Sequence, residues 1–285
     1  MPGRPQPPTA RLRRLAAELL RLRKTADLSR EAVAEQTGIN KATLYRIETA
    51  KARPQARTLK ALLELYAVDE DKRDELTVLL REANQQGWLQ TFSGELPDRY
   101  STYIGFESEA AKLLTYEALI IPGLLQTEDY TRALIRGMMP DGTDEEIENR
   151  VAARMQRQQV LEGGQLRLWL VVDEAALRRS VGDPVVLQAQ LEHMQQVAKK
   201  PNVTLQVLPF EAGPHPALLG AFVILKFGEL GAPDMVYIES EAGDLFLDDE
   251  PSVERYDNTF EHLRATALSA TASVEFLRRL AREIP

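Results

Sequence analysis

Apolar residues recur every three or four positions through the first eighty residues, and shorter β-branched runs follow in the second half. In "RLRRLAAELLRLRK" (11–24), Leu12, Leu15, Ala16, Leu19 and Leu22, then Ala26, form one helical face, with Arg11, Arg14, Arg21 and Lys24 largely off it. The next stretch, "LSREAVAEQTG", offers Ser29 as N-cap, Glu31 in the first turn, Val33 and Ala34 inward, and Gly38 as the stop. Glycine suits that stop because a sharp left-handed turn strains any residue with a Cβ. Asn40 caps a third helix from Lys41 to about Glu48, which Leu44 and Ile47 anchor inward. A fourth starts near Arg57 on Leu59, Leu62, Leu63 and Tyr66, and a fifth runs to about Gln86 on Leu76, Leu79 and Leu80.

The stretch "GWLQTFSGELPD" (87–98), with two glycines and a proline, is the best boundary candidate. Beyond it, residues 107–117 and 127–137 are predicted helical around a Pro122–Gly123 break, and Thr143 with Glu146 forms a capping box for a long helix to about Glu162. "LRLWLVV" (166–172) and "VTLQVL" (203–208) read as strands. They flank a helix that Asp183 and Pro184 start and Lys199–Lys200–Pro201 ends, a βαβ unit with parallel pairing. "GAFVILKF", "MVYIES" and "DLFLDD" form an antiparallel meander, and helices at about 251–267 and 270–282 follow. The predicted fold is α+β overall: an all-α five-helix domain over 11–86, then an α/β domain with a mixed sheet over 88–285.

Length supports that division, since 285 residues suggest two domains, although one large domain is also possible. The absence of cysteine excludes disulfides, thiolate metal sites and cysteine nucleophiles. The start, "MPGRPQPPTARLRR", lacks an apolar h-region and reads as a disordered arm over 1–10 rather than a signal peptide. No apolar run approaches the ~18 residues of a membrane helix, so a cytoplasmic location is expected. Charge changes the picture most. Residues 1–60 carry 14 Lys/Arg against 5 Asp/Glu, whereas the rest carry 21 against 38. A basic module joined to an acidic body points to a polyanion partner for the module alone.

Two short helices joined by a tight glycine turn, inside a basic helical domain, make a helix-turn-helix. The bland alternative is a small helical bundle with solvated charges. Recognition helices put their N-terminal residues against base edges in the major groove. On that basis Lys41 and Arg46 are assigned to guanine O6 and N7, and Ala42 to a thymine methyl. Asn40, Thr43 and Tyr45 suit phosphate oxygens, with simple packing open for Tyr45; Arg30 adds a cation at a helix N-terminus, and Lys51 and Arg53 continue the phosphate track. Glu48 would repel DNA and is expected to turn inward. The stretch resembles the Cro/lambda-repressor (xenobiotic-response-element) helix-turn-helix, "LSxxxLAxxxGxxxxxIxxIExGxxxP". Leu28, Ser29, Val33, Ala34, Gly38, Leu44, Ile47, Glu48 and Pro54 meet it. The pattern's glycine after the glutamate is Ala50 here, and its glutamine at the start of the second helix is Arg30. The resemblance implies an ion pair between Glu48 and Arg23.

Past residue 100 no catalytic or cofactor constellation stands out, so no enzyme and no cofactor are expected. His193, His215 and His262 lack metal-ligand spacing, and there is no GxGxxG, Walker motif or GxSxG. Asp248, Asp249 and Glu250 are read as a solvated turn before a metal site, and Arg150, Arg154 and Arg157 as surface ion pairing before an anion site. "LPFEAGPHPALLG" (208–220) brackets His215 with prolines and glycines at a strand's carboxyl end, where α/β sheets often bind ligands. His215 is therefore a candidate for a ligand or partner loop, against the plainer reading of a stiff connection.

"YEALIIPGLLQTEDYTRALI", "RMQRQQVL", "DEAALRRSVG", "QLEHM", "NVTLQVLPFEAGPH" and "GAFVILKF" together resemble the C-terminal domain of the WhiJ-like actinobacterial regulators. That resemblance implies a transcription regulator, in a family many of whose members count as antitoxin-like because a small partner protein is often encoded nearby. The expected function is sequence-specific binding of a double-stranded DNA operator by a homodimer. Residues 88–285 are expected to dimerise and to sense a small-molecule effector or a small partner protein. The alternative is an antitoxin-like protein that holds a small partner and autoregulates its operon.

Overall fold

The computed structural model describes residues 9–83, 96–240 and 242–284. Residues 1–8 of the predicted 1–10 arm and most of the predicted boundary stretch lie outside them; Thr9 and Ala10, predicted to belong to the arm, instead cap and open the first helix. Five helices open the chain: α1 (Ala10–Thr25), α2 (Arg30–Thr37), α3 (Lys41–Glu48), α4 (Ala56–Leu65) and α5 (Glu70–Ala83). Their starts follow the caps. Thr9 accepts from Leu12 N at 3.1 Å, Ser29 from Ala32 N at 3.1 Å and Asn40 from Ala42 N at 2.8 Å. Their predicted apolar faces meet in one core of Leu15, Leu19, Val33, Leu44, Ile47, Leu59, Leu62, Leu63, Leu76, Leu79 and Leu80. Full burial stabilises each such side chain by about 1.5–3 kcal/mol, enough to hold helices too short to persist alone.

The compact unit containing these helices also takes in α6 (Asp98–Glu109) and the segment Phe227–Pro233. Phe106 packs edge-on against Phe227 with centroids 6.4 Å apart. The Arg13 guanidinium lies 5.6 Å from the Phe106 ring centroid and donates to Pro233 O at 3.1 Å. Glu109 accepts from Ala10 N, from Arg11 N at 3.2 Å and from the Arg11 guanidinium, placing a carboxylate at the positive end of α1.

The second unit is built on a six-stranded sheet ordered β3-β2-β1-β4-β5-β6. Its strands are β1 (Lys112–Glu117), β2 (Arg167–Asp173), β3 (Val203–Leu208), β4 (Phe222–Lys226), β5 (Met235–Ile238) and β6 (Leu245–Leu247). Strands β1, β2 and β3 are parallel, and β4, β5 and β6 continue antiparallel from β1. Between the strands lie α7 (Glu128–Met138), α8 (Asp144–Arg157), α9 (Glu174–Arg178) and α10 (Pro184–Val197), and after the last strand come α11 (Glu250–Thr266) and α12 (Ala270–Glu283). The predicted mixed sheet, βαβ unit, meander and Thr143–Glu146 capping box are all present. Phe260 and Leu263 of α11 pack on the sheet face formed by Leu114, Tyr116, Phe222, Ile224 and Val236. The α11–α12 junction closes the β3 edge, where Leu268 N donates to Val207 O at 2.9 Å and Val207 N donates to Ser273 Oγ at 2.8 Å.

In the second unit one predicted element fails. Residues 107–117 are not a helix: α6 ends at Glu109, and Lys112–Glu117 forms the central strand. Its positions 113–116 are buried on both faces, so it shows no polar alternation, and its Lys, Leu and Glu residues favour helix locally. Pairing with β2, over fifty residues away, and with β4, over one hundred away, overrides that preference.

Candidate nucleic-acid interface

The α2–α3 turn rests on Gly38, whose φ of +71° is open to glycine and strained for other residues. The turn presents α3 with Leu44 and Ile47 buried beneath and Lys41, Ala42, Tyr45 and Arg46 exposed above. Asn40 is exposed as the cap, and Thr43 is half-buried. Among the described residues Arg46 makes one long hydrogen bond, Nη2 to Thr43 Oγ1 at 3.4 Å, so most of its donors face solvent. Lys41 pairs with Glu31 across the turn, an exposed pair that water screens strongly. That hydrogen bond holds the Glu31 carboxyl below its ordinary pKa.

Beneath this surface Glu48 turns inward, its side chain fully buried. It accepts from Arg23 Nε at 2.5 Å and Nη2 at 3.1 Å, and Arg23 Nη1 donates to Leu28 O at 2.7 Å. The pair implied by the sequence resemblance is present, and the hydrogen bonds to Glu48 raise the Arg23 pKa against the effect of burial. A second cation was not foreseen: Arg30 Nε also donates to Glu48, at 2.6 Å. Nearby, the buried Tyr66 hydroxyl has no hydrogen-bond partner among the described residues, and burial pushes its pKa up to about 12, with the Glu48 charge adding.

Arg30, at the first turn of α2, also stacks on Tyr45, 5.2 Å from the ring centroid. Lys51 lies 5.8 Å from the same centroid. Its N–H donates to Arg46 O at 2.7 Å, fixing the loop after α3, in which Ala50 sits at a left-handed φ of +53°. Arg53 differs from the other candidates. It turns back toward α5, donating from Nε to Ala83 O at 3.4 Å, and burial lowers its pKa.

In the second unit, the His215 imidazole is buried. Its Nε2 lies 3.3 Å from Tyr116 Oη and 3.8 Å from Asp173 Oδ2, while Tyr116 Oη donates to Asp173 at 3.2 Å. Burial lowers the His215 pKa, with Asp173 opposing. The loop instead exposes Leu218 and Leu219, the latter completely. Asp249 caps α11, accepting from Ser252 N at 3.0 Å. Among the described residues no group of three or more His, Asp or Glu converges as a metal site, and no helix is long and apolar enough to cross a membrane. Against the expected surface ion pairing, Arg157 is buried, and Arg154, half-buried, donates to Gln126 Oε1 at 3.0 Å. Both lie close enough to Glu117 to oppose the upward shift of its carboxyl to about 8, which burial causes first and the Glu239 charge second. Sequence reasoning missed Glu117 because it placed that residue on a helix.

A family model described as a Helix-turn-helix domain matches residues 14–76, which makes the chain a DNA-binding regulator. A second, described as Domain of unknown function (DUF5753), matches residues 100–279. No curated protein and no solved structure matches the chain. Since the second match spans more than half of the sequence, the chain belongs to the DUF5753 family.

Proposed function

We propose that this protein is a sequence-specific transcription regulator of the xenobiotic-response-element type, resembling the WhiJ-like regulators. It binds a double-stranded DNA operator in the cytoplasm as a homodimer and carries no catalytic role. The observation that carries this reading is the α3 surface, where Arg46 is exposed with nearly all its donors uncommitted among the described residues, above the buried anchors Leu44 and Ile47. Arg46 then reads a base edge, with Lys41 joining it once DNA displaces Glu31. Asn40, Thr43, Arg30 and Lys51 fix register on phosphates, and Ala42 leaves room for a thymine methyl. The test is selection of bound duplexes from a random pool, then titration of the selected site. Arg46→Ala is expected to remove roughly 1–3 kcal/mol of specific binding and relax preference at one base pair. Equal loss on specific and random duplexes would overturn the base-reading role.

The C-terminal domain is assigned to dimerisation and to sensing a ligand or partner. A single helix-turn-helix covers one half-site, and tight binding usually needs two, about one helical turn apart. Exposure of Leu218 and Leu219 on the Pro/Gly-bounded loop favours a second reading, an antitoxin-like protein that holds a small partner there. Co-purification of a small protein, lost in a Leu218→Ser/Leu219→Ser variant, would favour that reading over simple dimerisation.

A further inference from the structure

We propose that Tyr45 is a positioning residue that holds Arg30 and Lys51 together as a ready-made pair of phosphate-binding cations. The inference rests on the DNA-binding reading and deepens it, replacing a direct phosphate contact by the Tyr45 hydroxyl. Three observations converge. First, the Glu48 carboxylate is shared by two guanidiniums, so the cluster carries one positive charge in excess. The excess is presented at Arg30, whose side chain is 30 % exposed against 10 % for Arg23. Second, Nε alone ties Arg30 to Glu48; its two η nitrogens make no hydrogen bond among the described residues and are not buried. Third, the half-exposed ring of Tyr45 lies within cation–π reach of both cations, 5.2 Å from Arg30 and 5.8 Å from Lys51.

Two cations brought to one spot repel each other, and two long side chains lose rotamer freedom when fixed there. The negative face of an aromatic ring offsets both penalties before DNA arrives. The Glu48 anchor fixes the guanidinium from behind, and the hydrogen bond of the Lys51 N–H to Arg46 O fixes the root of the lysine. The ligand such a pair suits is the phosphodiester backbone of a duplex, whose charge recurs regularly and carries no base identity. Tyr45 therefore sets affinity for all sequences and leaves the choice among them to its neighbour Arg46.

The experiment uses the full chain, a labelled random-sequence duplex and a salt titration, with thermal melting of each variant as the folding control. Parent binding to the random duplex tests the underlying reading; if the parent binds neither this duplex nor any selected site, that reading fails. Given parent binding, Tyr45→Phe is expected to keep both affinity and salt slope. Tyr45→Ala is expected to weaken all duplexes alike by about 3–10-fold and to flatten the log–log salt slope by about one to two units. In an Arg30→Ala/Lys51→Ala background, Tyr45→Ala is expected to have no further effect. A parent-like Tyr45→Ala, a Tyr45→Phe as weak as Tyr45→Ala, or a Tyr45→Ala that changes preference at one base pair would each overturn the proposal.

Discussion

Glu48 shows how one buried residue couples stability to the exposed surface. Its carboxylate joins Arg23 of α1 and Arg30 of α2 to the end of α3, so three helices share one charge. Removing it leaves Arg23, itself buried, without its counter-charge, and breaking a buried pair costs far more than the pair contributes net. Glu48→Ala is expected to destabilise the helical unit by about 3–5 kcal/mol, read as the denaturant midpoint of its unfolding. Arg30→Ala exposes no buried charge and should cost about 1 kcal/mol or less. A Glu48→Ala protein as stable as Arg30→Ala would show that water already reaches Arg23. The inward turn of Glu48 was legible because an acid cannot face DNA. Its second partner was not, since a contact eighteen residues away leaves no local pattern.

At the scale of elements, the helix ends are where this chain departs from ease. Helices α1, α3 and α4 are each followed by a non-glycine residue in the left-handed region: Asp27 at φ +52°, Ala50 at +53° and Ala67 at +52°. After α3 and α4 the next N–H closes the turn, Lys51 N to Arg46 O at 2.7 Å and Val68 N to Leu63 O at 3.1 Å. An L-residue pays roughly 1–2 kcal/mol in that region, while glycine adds about 0.4–1 kcal/mol of unfolded-state entropy. Ala50→Gly is therefore expected to stabilise the unit by about 0.5–1 kcal/mol, measured as a rise in its unfolding midpoint. No change, or a loss, would mean that Ala50 packing outweighs the strain. Local signals of this kind made α1 to α5 readable, since caps, a stop glycine and apolar spacing all lie within one helix. They failed at β1, where "KLLTYE" has helical composition and only distant partners make it a strand. Glu117 was lost with it. By contrast "LRLWLVV" and "VTLQVL" carry their β-branched residues openly, and the βαβ unit between them follows from connection rules alone.

For the whole molecule, charge and contact divide the chain differently. Basic residues concentrate in the first sixty positions, yet the compact unit that holds them also draws on Asp98–Glu109 and Phe227–Pro233. Those later segments bury Phe106 and Phe227 beside α1 and place the Glu109 carboxylate at its N-terminus. A fragment of residues 1–87 keeps every DNA-facing candidate but loses that packing and that carboxylate. Burial of one large side chain and a charge at a helix start together amount to roughly 3 kcal/mol. At about 1.4 kcal/mol per tenfold, α1 amides in the fragment should exchange about 100-fold faster than in the full chain. Amides of α3, anchored by Leu44 and Ile47 within the first eighty residues, should lose protection only as far as global stability falls. Equal α1 protection in fragment and full chain would show that the first five helices are self-sufficient. Faster exchange confined to α1 would instead show that a basic module complete in its DNA-facing residues still depends on chain more than two hundred residues away for its first helix.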